Sequence, residues 1–329
     1  MRKLDLILDT DVGSDCDDMM ALAYLVYAKR HLGVTLRAVT HSYDCPLALP
    51  VMRAMLRELG EALPPFGRMP CEPRTQSNYC AAVAERFVTA ADAAPAADAV
   101  KVLRRALTES HEAVLCGIGP MTNLAALLSS EGDEISPLDG IALVRRHCSR
   151  AVVMAGRFAD RADGVREAEW NVKCDVAAAQ IMVAQCPVPL YFLPFEMGED
   201  VLTGGPVMEL YGESTPLSLS FVRFGKTRER GGRPSWDPMT ALFAVEGEAD
   251  RFACMRGRVT VDQAGVTRFA PQAEGLHRVI CLQARADVTA RGQKARIAAY
   301  IDACAMRLYA EKIEKAPNGM EFLQNRGIT

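Results

Sequence analysis

The sequence predicts an α/β fold with a mostly parallel central sheet flanked by helices, and two observations carry that expectation. Short apolar runs alternate with amphipathic segments through the first two thirds of the chain, the pattern of repeated βα units. The first run, Leu4-Asp5-Leu6-Ile7-Leu8, passes directly through an acidic stretch into a helical pattern, as a buried strand feeding a helix does. With 329 residues, 50% of them hydrophobic and 24% charged, the chain has material for a sizeable core.

In chain order, strands are expected at residues 4–8, 36–40, 113–116, 151–154 and 189–193. The segments between them carry helical spacing near 17–29, 47–59, 97–110, 122–128 and 175–185. Further on, 256–261, 266–269 and 279–281 read as short strands and 294–310 as a closing helix. The run Thr227-Arg228-Glu229-Arg230-Gly231-Gly232-Arg233-Pro234 reads as a mobile loop that disfavours helix and strand, placed to close over a ligand or simply to connect. No internal repeat, low-complexity tract or linker divides the chain, so residues 1–329 are expected to form one domain.

Charge and cysteine content exclude several function classes. A net charge of -3 and a pI near 6.0 supply no basic surface for nucleic acid. The start, Met1-Arg2-Lys3, leads into a strand with neither a secretory h-region nor a membrane-length apolar run, so no membrane partner and a cytoplasmic location are expected. The 11 cysteines are odd in number and show no CxxC pair or zinc-finger spacing, which points to reduced thiols, with Cys16 a spacer rather than a nucleophile.

Chemistry concentrates in Leu8-Asp9-Thr10-Asp11-Val12-Gly13-Ser14-Asp15-Cys16-Asp17-Asp18. Carboxylates about 4 Å apart repel by roughly 4 kcal/mol at an effective dielectric near 20, so several in one cleft call for a cation. A dense oxygen set favours calcium over the stricter octahedron of magnesium. Placement agrees, because ligands gather at the carboxyl ends of strands in open α/β sheets. Capping of the first helix by Asp15 or Asp17 would account for one or two of these acids, not for the whole set.

Asp9-Thr10-Asp11-Val12-Gly13 followed by Asp17-Asp18-Met19-Met20-Ala21-Leu22 resembles the amino-terminal signature of the inosine-uridine-preferring nucleoside hydrolases, with two extra residues against the family spacing DxDxGxDD. Three further segments follow in the family's order. Gly117-Ile118-Gly119-Pro120-Met121-Thr122-Asn123-Leu124-Ala125 resembles its TGPLTNLA turn. Val152-Val153-Met154-Ala155-Gly156 with Glu169-Trp170-Asn171 resembles its MGG and EFN elements, and Ser235-Trp236-Asp237-Pro238 resembles its HDP segment.

The resemblance implies an open Rossmann-like nucleoside hydrolase fold, hydrolysis of the N-glycosidic bond of ribonucleosides, Ca²⁺ as cofactor, and a homodimer or homotetramer. Carried over residue by residue, it implies Asp11 as catalytic base and Asp11, Asp18, Asp237 and the Ile118 carbonyl as calcium ligands. Asp9, Asp17, Glu169, Asn171 and Trp236 are then substrate-binding, with Glu169 and Asn171 on the ribose hydroxyls.

Two departures stand out. Trp236 occupies the place of the family's leaving-group histidine, and the histidine-glycine segment is replaced by Gln76-Ser77-Asn78-Tyr79-Cys80. An indole N–H donates but has no proton to deliver near neutral pH, so Trp236 either stacks on a base or packs on its helix. His41 and Tyr79 are candidate donors to the departing base and Glu196 a candidate neighbour, each with an ordinary structural alternative; purine or pyrimidine preference is open.

Two other readings compete. Leu6 to Val12 also resembles the first motif of haloacid-dehalogenase-like phosphohydrolases, which implies an aspartyl-phosphate and magnesium. A catalytically weak nucleoside-binding protein is the third reading, motivated by the missing histidine.

Overall fold

The strand β1, Leu4–Thr10, lies inside a ten-stranded sheet because it is apolar on both faces: Leu6, Ile7 and Leu8 are at most 1% exposed. The computed structural model describes residues 3–69, 76–160 and 164–314; Met1, Arg2 and Cys71 lie outside the described residues. The other strands are β2 (Val34–His41), β3 (Phe66–Arg68), β4 (Ala97–Asp98), β5 (Ala113–Gly117), β6 (Cys148–Met154), β7 (Leu190–Leu193), β8 (Leu202–Thr203), β9 (Arg233–Pro234), β10 (Phe252–Val261), β11 (Thr267–Pro271) and β12 (His277–Leu282).

The sheet order is β11-β10-β12-β7-β6-β5-β1-β2-β3-β4. Pairing is parallel from β4 through β12, and only β10 runs antiparallel to its two neighbours. The expected fold class, α/β with a mostly parallel sheet, is therefore the one observed. Strand order reverses between β1 and β5, whose register sets Asp9 opposite Gly117. Such a reversal opens a crevice at the strands' carboxyl ends.

The helix Asp17–His31 shows why the core forms here. Every residue from Asp17 to Val26 is buried, so the helix is enclosed on all sides rather than lying on the sheet with one wet face. It packs against β2 and against the helices Trp236–Glu246 and Ala290–Glu314. Three distant parts of the chain thus converge on the segment that carries Asp17 and Asp18.

Sequence periodicity located most of the longer elements to within a few residues, but it passed over the helices Asn78–Phe87 and Trp236–Glu246 as well as short strands such as β3 and β4. The loop expected at 227–234 is a correction. Thr227–Arg230 forms a helical turn, and Arg233–Pro234 pairs antiparallel with β8. Gly231 and Gly232, at φ 70° and 152°, make the reversal between them, and a Cβ on Gly232 would stand 2.7 Å from the Thr203 carbonyl oxygen. The glycines that suggested mobility are what lets the segment fold tightly onto its neighbour.

Candidate active site

β1 delivers Asp9 and, just past its end, Asp11; the helix that follows delivers Asp17 and Asp18, and the turn after β5 delivers Ile118, whose N–H bonds the Asp9 carbonyl at 2.8 Å. Asp237 arrives in the first turn of Trp236–Glu246. Carboxylate oxygens of Asp11, Asp18 and Asp237 lie within 4.8 Å of one another, and each residue is at most 4% exposed. Gly119 makes the close approach: a Cβ there would sit 2.7 Å from the Asp11 Cβ and from the Ser42 hydroxyl.

Burial and mutual repulsion govern the electrostatics of these carboxylates. Desolvation first, and then the neighbouring carboxylates, push Asp11, Asp17, Asp18 and Asp237 well above the usual carboxylate range. Asp18 Oδ1 accepts from the Thr10 hydroxyl and from the Asp11 N–H at 3.2 Å, whereas its Oδ2 is buried with no partner. An orphaned carboxylate oxygen, two facing carboxylates and a nearby main-chain carbonyl form an all-oxygen donor set, which fits a hard divalent cation.

Asp17 and Asp9 are held differently. Neither Asp15 nor Asp17 caps its own helix, as the sequence suggested: Cys16 is at that position and makes no side-chain cap. Asp17 Oδ2 instead accepts from the N–H groups of Trp236 and Asp237 at 3.0 and 3.1 Å, capping a helix from elsewhere in the chain. Asp9 does not line the cleft. Its Oδ1 accepts from Thr40 Oγ1 at 2.6 Å and Asn123 Nδ2 at 2.7 Å, and burial pushes its carboxyl up to about 7.

The cleft above these acids has a volume of about 280 Å³. On one side Glu169 caps the helix Trp170–Cys174, accepting from the N–H groups of Gly156, Asn171 and Val172. Asn171 Nδ2 donates to the carbonyls of Ile118 at 3.1 Å and Met154 at 3.0 Å. Both side chains are therefore fixed by main chain before any ligand arrives, and carboxylate oxygens retain further lone pairs for hydroxyl donors.

Another part of the wall is aromatic. Trp236 stacks on Phe195, with centroids 5.1 Å apart, and its Nε1 donates to the Phe195 carbonyl at 2.7 Å. It faces the cleft with its ring, not its N–H. Gly198 leaves room for that ring, since a Cβ there would meet Trp236 Cδ1 at 2.4 Å.

Three candidate neighbours resolve to supporting roles. His41 is buried, pairs through Nε2 with the Val12 carbonyl at 3.0 Å, and does not line the cleft. Tyr79 accepts from the Gly13 N–H at 2.5 Å and donates to the Asp15 carbonyl at 2.6 Å, clamping the acidic loop. Glu196 Oε1 accepts from Phe158 N and Ala159 N, both at 3.0 Å. The ten described cysteines are free; burial and nearby aspartates raise Cys16, which stays a protonated spacer.

Sequence reasoning passed over Ser14, which lines the cleft beside Asp11, and Phe224 and Arg233, which line its aromatic side. Arg233 forms a two-pronged ion pair with Asp15, Nε lying 2.9 Å from Oδ1 and Nη2 on Oδ2. An ion pair spanning 218 positions leaves no local pattern to read.

The model of the family described as inosine-uridine preferring nucleoside hydrolase matches residues 6–307. The chain belongs to that family. Among its relatives, the pyrimidine-specific ribonucleoside hydrolase RihA of Photobacterium profundum is 27% identical over 178 residues, covering 51% of this chain and 53% of that protein. An uncharacterized protein of Schizosaccharomyces pombe is 26% identical over 140 residues, 40% of this chain and 42% of the relative. The chain thus spans about half the length of the curated relatives it matches. The inosine-uridine preferring nucleoside hydrolase of Bacillus anthracis has the same fold at a TM-score of 0.65 and 18% identity, with 92% of this chain and 99% of that one covered.

Family membership disfavours the phosphohydrolase alternative, and the geometry gives a reason. Asp9, its nucleophile, does not line the cleft, and its Oδ1 is taken up by Thr40 and Asn123.

Proposed function

We propose that this chain hydrolyses the N-glycosidic bond of ribonucleosides, releasing ribose and a nucleobase, with Ca²⁺ held by Asp11, Asp18, Asp237 and the Ile118 carbonyl. The observation that carries the reading is Asp237, which closes on Asp11 and Asp18 from a distant part of the sequence. When bound, the cation would polarise water and anchor sugar hydroxyls.

The chain's own residues supply the rest. Asp11, beside Ser14 in the cleft wall, takes the proton of the attacking water and sets negative charge beside the sugar as its C1′ becomes cationic. Glu169 and Asn171, fixed by main chain, receive the ribose hydroxyls. Asp17, which lines the cleft, is read as substrate-binding and also fixes the turn that presents Asp237; Asp9, expected to bind substrate, does not line the cleft and instead supports the end of β1. Trp236 offers its ring to a base.

Residues 1–329 are read as one domain acting in the cytoplasm as a homodimer or homotetramer, which sedimentation would test. No described helix is long and apolar enough to cross a membrane. The deciding experiment is a reducing-sugar assay over a panel of purine and pyrimidine nucleosides, with and without chelator. Chelator-sensitive ribose release supports the proposal; nucleoside binding without ribose release would overturn it.

A further inference from the structure

We infer that Arg233, aligned by Asp15, stabilises the departing nucleobase in place of the missing histidine. The inference rests on the hydrolase reading and extends it to the base end of the cleft.

Elimination is the first argument. Around the cleft, the Trp236 indole N–H is spent on the Phe195 carbonyl and the Tyr79 hydroxyl on the Asp15 carbonyl, while the Ser14 hydroxyl faces Asp11. His41 lies outside the wall. Among the described residues lining the cleft, Arg233 is the one cation.

Its geometry is the second argument. Asp15 grips the Nε–Nη2 edge and leaves Nη1 without a hydrogen-bond partner among the described residues. The guanidinium carbon sits 5.0 Å from the Phe224 ring centroid and 5.4 Å from that of Trp236, and the Arg233 side chain is 23% exposed. Phe224, Arg233, Trp236 and Phe195 thus form one wall on which a planar base would lie, with an N–H donor set into it. Asp15 belongs to the acidic loop that carries two residues beyond the family spacing, so the loop that lengthens the motif also anchors this donor.

The chemistry balances without an acid. As the C1′–N bond breaks, its electron pair passes to the base, and water's oxygen bonds C1′ while its proton goes to Asp11. Arg233 keeps its own proton throughout, since guanidinium does not ionise in this range, and donates a hydrogen bond to the anionic base, which then takes a proton from solvent. The bases served are those that delocalise charge onto a carbonyl oxygen, such as hypoxanthine and uracil.

The test compares inosine and uridine with p-nitrophenyl β-D-ribofuranoside, whose phenolate leaves without help. For Arg233→Gln, kcat/KM should fall about 100-fold or more on the nucleosides and less than about 10-fold on the aryl riboside. Ethylguanidinium should partly restore inosine turnover to Arg233→Ala. If the single variants do not fold, Asp15→Asn/Arg233→Gln, which removes both charges together, takes the same comparison. Equal losses on all three substrates, or no loss, would overturn the assignment while leaving the hydrolase reading intact. A wild-type protein inactive on all three would overturn the hydrolase reading and this inference with it.

Discussion

Asp17 Oδ2 accepts the main-chain N–H of Asp237 at 3.1 Å, so one acidic residue sets the position of another 220 places along the chain. The same oxygen takes the Trp236 N–H at 3.0 Å, which satisfies two of the free donors at that helix start. Cation binding should therefore depend on Asp17 even though it is not proposed as a ligand. Asp17→Ala is expected to weaken calcium affinity by about 10- to 100-fold, the usual cost of losing a group that orients a ligand. Calorimetric titration checks this, and unchanged affinity would separate the cap from the cation site.

His41 makes a prediction about acid stability. Burial lowers its ring from 6.5 to about 4, so the folded protein keeps it neutral where the unfolded chain is already protonated. Stability is accordingly lost as pH falls from about 6.5 to 4, at up to about 1.4 kcal/mol per pH unit, and levels off below. His41→Gln retains a donor toward the Val12 carbonyl and should flatten that slope. The raised carboxylates act in the opposite sense, but they are common to both proteins and cancel in the difference. Urea midpoints of the two proteins from pH 7 to 4 measure it, with parallel curves the contrary result. Ribose release by His41→Ala should meanwhile persist, because the ring lies outside the cleft wall.

Gly119 predicts a steric route to inactivation. The Gly-Pro turn runs so close to β1 that a methyl group at 119 would stand 2.7 Å from Asp11 Cβ and 3.0 Å from Asp11 Cγ. Gly119→Ala must displace either the turn or the proposed base, at a cost of about 1–3 kcal/mol in stability. Since a misplacement near 1 Å costs on the order of 100-fold in rate, kcat should fall far more than thermal stability does. A kcat near wild type would mean that the turn yields and Asp11 does not.

How much of this was legible beforehand follows from the range of the interactions. β1 and the aspartates after it were readable because an apolar run and a charge cluster are local in sequence. Asp237 was readable only through the resemblance of Ser235-Trp236-Asp237-Pro238 to a known segment; no periodicity pairs it with Asp18. Arg233 escaped because Gly231-Gly232-Arg233-Pro234 has the composition of a loop, and its place depends on a two-residue strand pairing with Leu202–Thr203. Tyr79 and His41 were noticed as chemistry, yet their roles turn on which main-chain group each meets, information that residue type does not hold.

The carboxylate cluster itself gives the last prediction. Without a cation, burial and mutual repulsion raise Asp11, Asp18 and Asp237, so the cluster holds protons that a cation must displace. Calcium affinity should therefore weaken as pH falls, with proton release on binding that differs between buffers of different ionisation enthalpy. At 100 times its dissociation constant, calcium should stabilise the fold by about 2.7 kcal/mol, visible as a rise in Tm that EDTA reverses. Magnesium should give a smaller rise, because two of the four donor groups are fixed by other hydrogen bonds: Asp18 through Oδ1 by Thr10 and Asp11, and the Ile118 carbonyl by Asn171. A rigid cage of that kind suits a tolerant cation of long bonds better than one demanding an octahedron near 2.1 Å. For Asp237→Asn the calcium-dependent rise should shrink sharply while the metal-free protein gains stability, since a buried carboxyl that folding forces to hold its proton at neutral pH is gone. A full calcium response in that variant would place the cation somewhere other than between Asp11, Asp18 and Asp237.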